Sequence, residues 1–401
     1  MPILSVIVPC RNEREHIEAF CRSVAAQAVP VGWTLEVLIA DGLSDDGTRE
    51  RLAAWCLGDP RFVMIDNPGR IVSCGLNRCI ERAQGEFIVR LDVHTVYAPD
   101  YLAQCLSTWQ ATGADNVGGP WRAEGLAGPQ GTVQRAIAAA FQSRWVAGGA
   151  LSRDLAYDGE ADTVYLGAWP RQTFERFGGF DEHLVRNQDD EHNLRIHRGG
   201  GRIWQSPRIR STYFPRASIV DVFRQCRQYG YWKPFVMAKH GQAAALRHLI
   251  PGLFVAALIG LLVLMLVLSL LALTLTLTLG PDAAGDATVD AAVNAVANAA
   301  ANGMAAAQGA VLLDWLAWGM PVVSTLFTAL AGVYLAAVAA VSIAIARQQG
   351  LDLLPLLPRV IAAYHFGYGL GSIRGWFDAL VRRRPDPAFG RLTRGNARTT
   401  P

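Results

Sequence analysis

The protein is a chain of 401 residues, long enough for two or three domains with sizeable cores. Apolar residues make up 51% of the chain and charged residues only 18%, below the roughly 25% of soluble domains, so part of the chain is expected not to face water. The net charge is +3, and no dense basic run precedes the C-terminal tail. This charge pattern argues against a nucleic acid partner.

The cysteines and the N-terminus indicate the compartment. All seven cysteines lie before residue 230, their number is odd, and none has the CxxC spacing of a zinc site. They predict free, buried thiols in a reducing environment. The segment 1–8 lacks the basic start and the cleavage site of a signal peptide, so we expect the first domain to begin and stay in the cytosol.

The composition changes near residue 245, which we take as the end of a cytoplasmic domain over residues 1–245. Residues 249–279 and 315–346 are apolar and uncharged, and each is long enough as a helix to cross about 30 Å of hydrocarbon. No Lys or Arg lies between Arg247 and Arg347. The positive-inside rule therefore predicts two transmembrane helices whose outer flanks are both cytoplasmic.

The remaining C-terminal segments differ in character. Residues 280–314 are rich in Ala, Asn, Asp and Gly and predict an extracytoplasmic loop of low complexity. Residues 351–378 are hydrophobic but contain Arg359 and Arg374, and a third span would place the arginine-rich tail outside. We expect an interfacial or re-entrant helix there, followed by a basic cytoplasmic tail over 379–401.

The first domain alternates short apolar strands with helix-periodic segments. This alternation predicts an α/β fold with a mostly parallel sheet and helices on both faces. Ligands of such sheets bind at the carboxyl ends of the strands. The predicted strands are 3–8, 35–40, 62–65 and 87–91, and the clearest helical faces lie over 17–25 and 72–83.

Polar residues follow three of the predicted strands. The segment after the first strand contains no GxGxxG motif, and the chain has no GxxxxGK[ST] loop, which argues against dinucleotide-binding folds and P-loop NTPases. Asp41 follows the second strand and could accept hydrogen bonds from a base or ribose, or simply cap a helix. Asp92 and His94 follow the fourth strand. They could share a Mn²⁺ or Mg²⁺ ion that bridges a diphosphate, although an Asp-x-His pair is often incidental.

In order and spacing, these strand ends resemble the family-2 glycosyltransferases. The resemblance begins with Pro9-x-x-Asn12-Glu13 and covers about residues 3–240. It implies a GT-A, Rossmann-like nucleotide-sugar domain. Among its subgroups the chain is most similar to membrane-anchored bacterial exopolysaccharide enzymes of the succinoglycan glucosyltransferase type. The other matching segments are 67–77, 83–86, 177–182 and 188–191.

The resemblance implies roles for the strand-end residues. The nucleotide-sugar site would be formed by Pro9, Asn12, Glu13, Asp41 and Asp92. Asp92 and His94 would hold the metal and the diphosphate. Two positions depart from the family pattern: Gly42 stands where a second acid is common, and His94 replaces a second Asp, so a capping or core histidine remains the alternative.

A base must take the proton of the acceptor hydroxyl, and the acidic run at 188–191 supplies the candidates. By the resemblance Asp189 is the catalytic base, with Gln188 in place of the preceding family Glu, and Glu191 is the second candidate. The same run also fits the acidic first turn of a helix, stabilised by the helix dipole.

The segment 223–233 mixes aromatic and cationic residues just before the first apolar helix. It resembles, imperfectly, the Gln-x-x-Arg-Trp motif of processive polysaccharide synthases, which implies acceptor or pyrophosphate contacts for Gln225, Arg227 and Trp232. The imperfect match favours addition of one sugar over polymerisation. The alternative is a basic aromatic helix that anchors at the lipid headgroups.

The leading hypothesis is an inverting glycosyltransferase of the bacterial cytoplasmic membrane that uses Mn²⁺ or Mg²⁺. It would move a hexose, glucose by the resemblance, from a UDP-sugar to a polyprenyl-diphosphate-linked saccharide in exopolysaccharide biosynthesis. The lipid bilayer and other exopolysaccharide assembly proteins would be its further partners. Two alternatives remain open: a processive polysaccharide synthase, and a non-catalytic subunit that binds nucleotide sugar.

Overall fold

The computed structural model describes residues 1–128, 131–241, 245–279 and 304–390. The chain divides into two compact units, one comprising Met1–Gly252 with Val341–Pro401 and the other Leu253–Ala340. Each is described by itself below.

The first unit is built on a mixed, mostly parallel sheet. Its described strands are β1 (Ile3–Cys10), β2 (Thr34–Asp41), β3 (Phe62–Asp66), β4 (Phe87–Arg90), β5 (Thr95–Tyr97), β6 (Asn116–Gly119), β7 (Gly159–Glu160), β8 (Tyr165–Pro170), β9 (Ile203–Gln205) and β10 (Ser211–Tyr213). Eight of them form one sheet in the order β3-β2-β1-β4-β8-β6-β9-β7, and β5 pairs with β10 in a small antiparallel ribbon. Strands β3, β2, β1 and β4 are parallel, whereas β8 runs antiparallel to both β4 and β6.

The described helices follow the strands in the order that the sequence predicts. They are α1 (Ile17–Ala25), α2 (Thr48–Gly58), α3 (Val72–Arg82), α4 (Tyr101–Thr112), α5 (Thr132–Gln142), α6 (Arg171–Phe177), α7 (Gln188–Arg198), α8 (Ile219–His240), α9 (Ile250–Leu279), α10 (Met304–Gln349) and α11 (Leu357–Phe377). The four predicted strands and the two predicted helical faces are all present, which confirms the α/β fold class.

Alternation along the strands explains why helices cover both faces of the sheet. Leu4, Val6 and Val8 of β1 pack into one core together with side chains of α1, α2 and α4. Ile7, between them, packs into a second core with side chains of α3, α6 and α7. Because successive side chains of a strand point to opposite faces, a strand such as β1, whose residues are apolar except for Ser5, requires cover on both sides.

Packing explains two residues of the segments that carry the family resemblance, Gly85 and Asn77. A Cβ atom at Gly85 would overlap the Ser5 hydroxyl and the Ile3 carbonyl, so only glycine lets the chain enter β4 this close to β1. The Asn77 side chain pairs with the backbone of Phe180, donating to its carbonyl and accepting from its N–H, each at 2.8 Å. This pair joins α3 to the loop that leads to α7.

Helix α11 belongs to the first unit, where it packs directly on α8. Its glycines recur every fourth residue on the contacting side, and a Cβ atom on any of them would overlap the backbone of α8. The contacts advance together along both helices, so the two helices run in the same direction. The facing positions are Gly367 with Phe223, Gly371 with Arg227 and Gly375 with Tyr231. The interfacial placement of residues 351–378 stays a prediction.

Two helices among the described residues, Leu246–Leu275 and Val311–Gln349, are long and apolar enough to cross a membrane, by length and composition alone. They coincide with the two predicted spans, whose membrane insertion stays a prediction. The predicted loop falls largely on residues 280–303 and the end of the basic tail on 391–401, both outside the described residues.

Candidate active site

The carboxyl ends of β1, β2 and β4 meet at one edge of the sheet. Cys10, the last residue of β1, lies beside Asp41 of β2, and Ile7 of β1 lies beside Arg90 of β4. The chain leaves β1 toward β2 on one side, whereas β4 lies on its other side. Such a reversal of strand order opens a crevice at the strand ends, where α/β sheets bind their ligands.

The loops after β1 and β2 are joined by hydrogen bonds. The Asn12 backbone N–H donates to the Ser44 hydroxyl at 2.8 Å, and the Asn12 side chain exchanges hydrogen bonds with Asp45. Asn12 has a φ of 54°, a left-handed conformation that asparagine tolerates better than most residues. The Glu13 N–H donates to the Thr48 hydroxyl at 2.8 Å. The two loops therefore form one rigid wall of the crevice.

Asp41 is fully buried and stabilises this wall from below. One of its oxygens accepts from the Ser44 hydroxyl at 2.5 Å, and the other accepts from the Ser44 N–H at 3.0 Å and from Arg49 at 2.7 Å. Pro9 of β1 is paired with Ala40 of β2, one residue before Asp41. The structure thus brings Pro9, Asn12, Glu13 and Asp41, four of the five residues predicted for the nucleotide-sugar site, to one edge of the sheet. Their contact with nucleotide stays a prediction.

Asp92 and His94 lie in the loop after β4, at the same edge. Asp92 pairs with the buried Arg90 at 3.2 Å, and its backbone is held by the Tyr97 hydroxyl, which accepts from its N–H at 2.7 Å and donates to its carbonyl at 3.0 Å. The His94 Nδ1 lies 3.8 Å from a carboxylate oxygen of Glu13. The loops after β1 and β4 therefore meet at the Glu13–His94 contact.

The donor set fits a divalent cation only in part. Among the residues that the structure describes, no group of three or more His, Cys, Asp or Glu side chains could hold a metal ion by itself. One carboxylate and one imidazole would leave most of an octahedral shell open. Diphosphate oxygens and water could fill it, so the residues suit a metal that binds together with a nucleotide diphosphate.

Asp189 lies half-buried in the first turn of α7. Burial, followed by the charge of Asp190, raises the pKa of Asp189 above the usual value for aspartate, although Arg90 opposes this shift. Burial lowers the pKa of the Arg90 guanidinium, but the charges of Asp92 and Asp189 outweigh it and raise that pKa above its usual value. Arg90 therefore pairs with Asp92 of the strand-end loop and lies near enough to Asp189 of α7 for the two charges to shift each other's pKa.

Two contacts hold α7 in place, one at its first turn and one further along the helix. The buried Lys233 of α8 forms an ion pair with Asp190. Although burial raises the pKa of Asp190, Lys233 and then His248 lower it below its usual value. Further along α7, Asn193 accepts a hydrogen bond from Asn116 of β6 at 2.8 Å. Asp189 is thus carried by a helix that is held at both the sheet and α8.

Glu191 has a different environment from Asp189. Its side chain is fully buried, and its oxygens pair with Arg195, Lys239 and His240, each at 2.9 Å. Burial raises the pKa of Glu191, but these partners, Arg195 first, lower it below its usual value. A carboxylate enclosed by cations cannot reach a substrate hydroxyl. The contacts correct the sequence interpretation of Glu191 as a second candidate base and make it a structural residue.

Replacing Glu191 with glutamine is expected to lower the free energy of unfolding by about 1–3 kcal/mol, because the change removes a buried charge that three partly exposed cations share. Denaturant unfolding of the detergent-purified chain measures the effect. Glu175→Gln, on the exposed face of α6, is the matched control and is expected to change little. Loss of activity by Glu191→Gln with unchanged stability would contradict the structural role.

The three residues predicted to contact acceptor or pyrophosphate are not brought together. Gln225 faces the strand-end region and donates to the Tyr229 hydroxyl at 3.1 Å. Trp232 is 2% exposed and its indole N–H donates to the Phe389 carbonyl at 3.2 Å. The Arg227 guanidinium lies over the Phe389 ring, 4.9 Å from its centroid. Trp232 is therefore covered by the C-terminal segment, which corrects its predicted role as a substrate contact. Arg227 is exposed, and the predicted substrate contacts of Gln225 and Arg227 stay predictions.

Sequence reasoning missed two parts of this region. In the sequence, Arg90 is an ordinary residue of a predicted strand. Only its ion pair with Asp92 in the structure shows that it lies at the strand-end site. An aromatic group on β8, β10 and the loop after β6 lies beside the His94 ring, 6.2 Å from Tyr213 by centroids. Its members come from distant parts of the chain, so no local pattern signals them. They are Trp121, Tyr165 and Tyr213.

Comparison with known proteins agrees with this architecture. The sequence model of glycosyl transferase family 2 matches residues 5–162. The succinoglycan biosynthesis protein ExoA of Rhizobium meliloti is 34% identical over 248 residues, which cover 61% of this chain and 73% of that protein. The putative teichuronic acid biosynthesis glycosyltransferase TuaG of Bacillus subtilis is 36% identical over 108 residues, covering 26% of this chain and 41% of TuaG.

A solved structure of the mannosyltransferase PcManGT from Pyrobaculum calidifontis, in complex with GDP-Man and Mn²⁺, aligns with 19% identity and a TM-score of 0.47 over 79% of this chain and 86% of that one.

The strand-end crevice and the ExoA match together define the class of protein. The chain belongs to glycosyl transferase family 2 and is an enzyme, a glycosyltransferase. Within that family it is related to enzymes of exopolysaccharide biosynthesis.

Proposed function

We propose that the chain transfers a single hexose from a UDP-sugar to a lipid-linked saccharide, with inversion at the anomeric carbon. The proposed hexose is glucose. The relationship to ExoA supports a role in exopolysaccharide biosynthesis on the bacterial cytoplasmic membrane. The two apolar helices support membrane attachment, with the catalytic domain in the cytoplasm.

One observation supports this proposal most strongly. Arg90 pairs with Asp92 in the strand-end loop at 3.2 Å, and Asp189 on α7 is near enough to raise the pKa of the same guanidinium, so a carboxylate suited to diphosphate binding and a carboxylate suited to base catalysis lie near one cation. Single displacement needs both groups in one site, because the leaving diphosphate and the attacking hydroxyl react at one sugar carbon, on opposite sides of it.

On the donor side, the wall formed by Asn12, Glu13 and Asp41 would receive the uridine. Asp92 and His94 would hold a Mn²⁺ or Mg²⁺ ion, which when bound would neutralise charge on the diphosphate leaving group. The Tyr97 hydroxyl holds the backbone of Asp92 on both sides, so the carboxylate needs little reorganisation when the donor binds.

On the acceptor side, Asp189 would take the proton of the attacking hydroxyl. As the hydroxyl oxygen bonds to the anomeric carbon, the bond from that carbon to the phosphate oxygen breaks and UDP leaves. Burial raises the pKa of Asp189, which makes its carboxylate a stronger base than an exposed aspartate. Asp190, bound to Lys233, and Glu191, enclosed by cations, are not available for this step.

The burial of Trp232 against Phe389 supports addition of one sugar over processive synthesis, because its ring is not free to stack on an elongating glycan. The proposal is tested with membranes that contain the chain, labelled UDP-glucose and other UDP-sugars, Mn²⁺ or Mg²⁺, and extracted lipid-linked saccharides. The expected product is the acceptor plus one sugar, and no product in the presence of EDTA. A long polymer would contradict the proposal, as would UDP binding without transfer from any donor.

The transfer rate is expected to fall as the pH is lowered through the pKa of Asp189, because only the ionised carboxylate can take a proton. Burial and Asp190 raise this pKa, so the acid limb should lie above the pKa of about 3.9 of an ordinary aspartate. The measurement is kcat against pH at saturating donor and acceptor, with UDP affinity determined over the same range as a control. An acid limb at or below the ordinary value would contradict the assignment.

A further inference from the structure

Arg153 is a buried cation that the proposed reaction does not yet use. It ends the 3-10 turn Leu151–Arg153 between α5 and β7, and the residue is 9% exposed. In the described part of the chain its guanidinium forms no ion pair, and its buried Nη1 has no hydrogen-bond partner. Burial lowers the pKa of Arg153, as expected for a cation without a nearby carboxylate.

The guanidinium is held by aromatic rings. Its Cζ lies 3.6 Å from the centroid of the Trp121 ring and 6.0 Å from that of Phe141. A desolvated cation–π contact stabilises a guanidinium by less than the cost of burying its unpaired charge. The rings therefore position the cation without neutralising it.

The backbone around this group is fixed by hydrogen bonds. The backbone N–H of Trp121 donates to the Ser152 carbonyl at 2.7 Å, which ties the loop after β6 to the 3-10 turn. The Gln142 side chain donates to the Arg153 carbonyl at 2.6 Å and accepts from the Ala123 N–H at 3.1 Å. Arg153 and Trp121 are thus held together before any ligand binds.

The aromatic group leads from Arg153 to the strand-end crevice. Trp121 stacks on Tyr165, with centroids 5.6 Å apart and ring planes 8° from parallel, and contacts Tyr213 edge-on at 5.3 Å. Tyr213 in turn contacts the His94 ring. The buried indole N–H of Trp121 also lacks a hydrogen-bond partner among the described residues. A guanidinium and an indole N–H, both donors, lie beside the site without acceptors.

We propose that Arg153 and Trp121 form a subsite for a phosphate oxyanion of a diphosphate-linked substrate. The planar guanidinium suits two phosphate oxygens at once, and a charge-assisted bond in a buried site is strong. The inference rests on the proposed function, in which both the UDP-sugar donor and the lipid-linked acceptor carry a diphosphate. The shared chemistry is the oxyanion, and the experiment separates its two sources.

The test compares Arg153→Met with wild type in detergent, by titration calorimetry with UDP and with farnesyl diphosphate as probes. Arg153→Met keeps the length of the side chain and removes its charge. The substitution is expected to lower the affinity for one of the two probes about 10- to 100-fold, which is the effect of losing a charge-assisted hydrogen bond. Weakened farnesyl diphosphate binding would assign the subsite to the acceptor, and weakened UDP binding would assign it to the donor.

Arg144→Met is the matched control, because Arg144 also lies over a tryptophan ring, Trp145 at 5.5 Å, but both residues are exposed. It is expected to leave the affinities for both probes unchanged. Arg153→Lys, which keeps the charge without the planar fork, should recover part of the lost affinity. Unchanged affinity of Arg153→Met for both probes would overturn the inference and leave Arg153 a packing residue.

Because the titrations need no turnover, the two proposals can fail separately. If the chain transfers no sugar but Arg153→Met loses probe affinity, the oxyanion subsite is supported and the proposed reaction is contradicted. If transfer occurs and Arg153→Met binds both probes like wild type, only the proposal of an oxyanion subsite is contradicted.

Discussion

Replacing Asp189 with asparagine is expected to lower kcat about 100- to 10,000-fold, the contribution of a positioned general base, while UDP affinity stays close to that of wild type. The change removes a proton acceptor but preserves the shape of the side chain. It leaves the Arg90–Asp92 pair and the Lys233–Asp190 pair in place. The measurement is initial-rate transfer to the lipid-linked acceptor, with UDP binding measured in parallel on the same preparation.

The matched control for this variant is Asp59→Asn. Asp59 follows α2 and precedes the amino end of β3, so it lies at the edge of the sheet opposite the crevice. It is expected to retain wild-type transfer. If Asp189→Asn remained fully active, the base would have to be sought elsewhere and the non-catalytic reading of the acidic turn would gain support. A loss of UDP affinity as large as the loss of kcat would point to a binding role instead.

Replacing Asp92 with asparagine is expected to lower transfer about 100- to 1,000-fold, because one carboxylate that stabilises the leaving group would be lost. The variant should also lose most of the stimulation by Mn²⁺ or Mg²⁺, since Asp92 supplies the charged ligand of the proposed pair. The measurement is the transfer rate over a range of metal concentrations. Chelation by EDTA should inactivate wild type more than it inactivates this variant.

Two controls separate this effect from a change in folding. Asp92→Asn leaves the buried Arg90 without its ion-pair partner, so unfolding must be measured beside activity. Asp92→Glu keeps the charge and should retain part of the metal response. Asp221→Asn removes an exposed carboxylate that pairs with Arg224 and should change neither quantity. A metal response of Asp92→Asn equal to that of wild type would contradict the assignment.

The fold could be predicted from local patterns, because each pattern reports a local constraint. Strands with apolar residues on both faces, such as β1, must be covered on both faces, and amphipathic helices supply the cover. The polar residues that follow Cys10, Asp41 and Arg90 then lie together, because parallel strands share the edge at which they end. The predicted strand-end residues Asn12, Glu13, Asp41, Asp92 and His94 do meet at that edge.

The parts that could not be predicted depend on contacts between distant segments. Within the acidic turn of α7, the resemblance ranked Asp189 above Glu191, but no local pattern showed how their surroundings differ. The difference arises from Lys239 and His240 on α8, which pair with the buried Glu191, whereas Asp189 is half-buried and forms no ion pair among the described residues. An aromatic and basic segment suggested that Trp232 contacts substrate, whereas Phe389, far along the chain, covers it.

The sequence by itself determined the family, the order of strands and helices, the apolar helices and the edge of the sheet at which the site lies. These follow from hydrophobic periodicity and from short motifs, which act over a few residues. Only the tertiary structure decided which carboxylates are enclosed by cations, which aromatic side chains are used in packing and where a cation without an ion pair among the described residues, Arg153, is buried. Availability and burial are set by whichever distant segment packs alongside, and the local sequence does not contain that information.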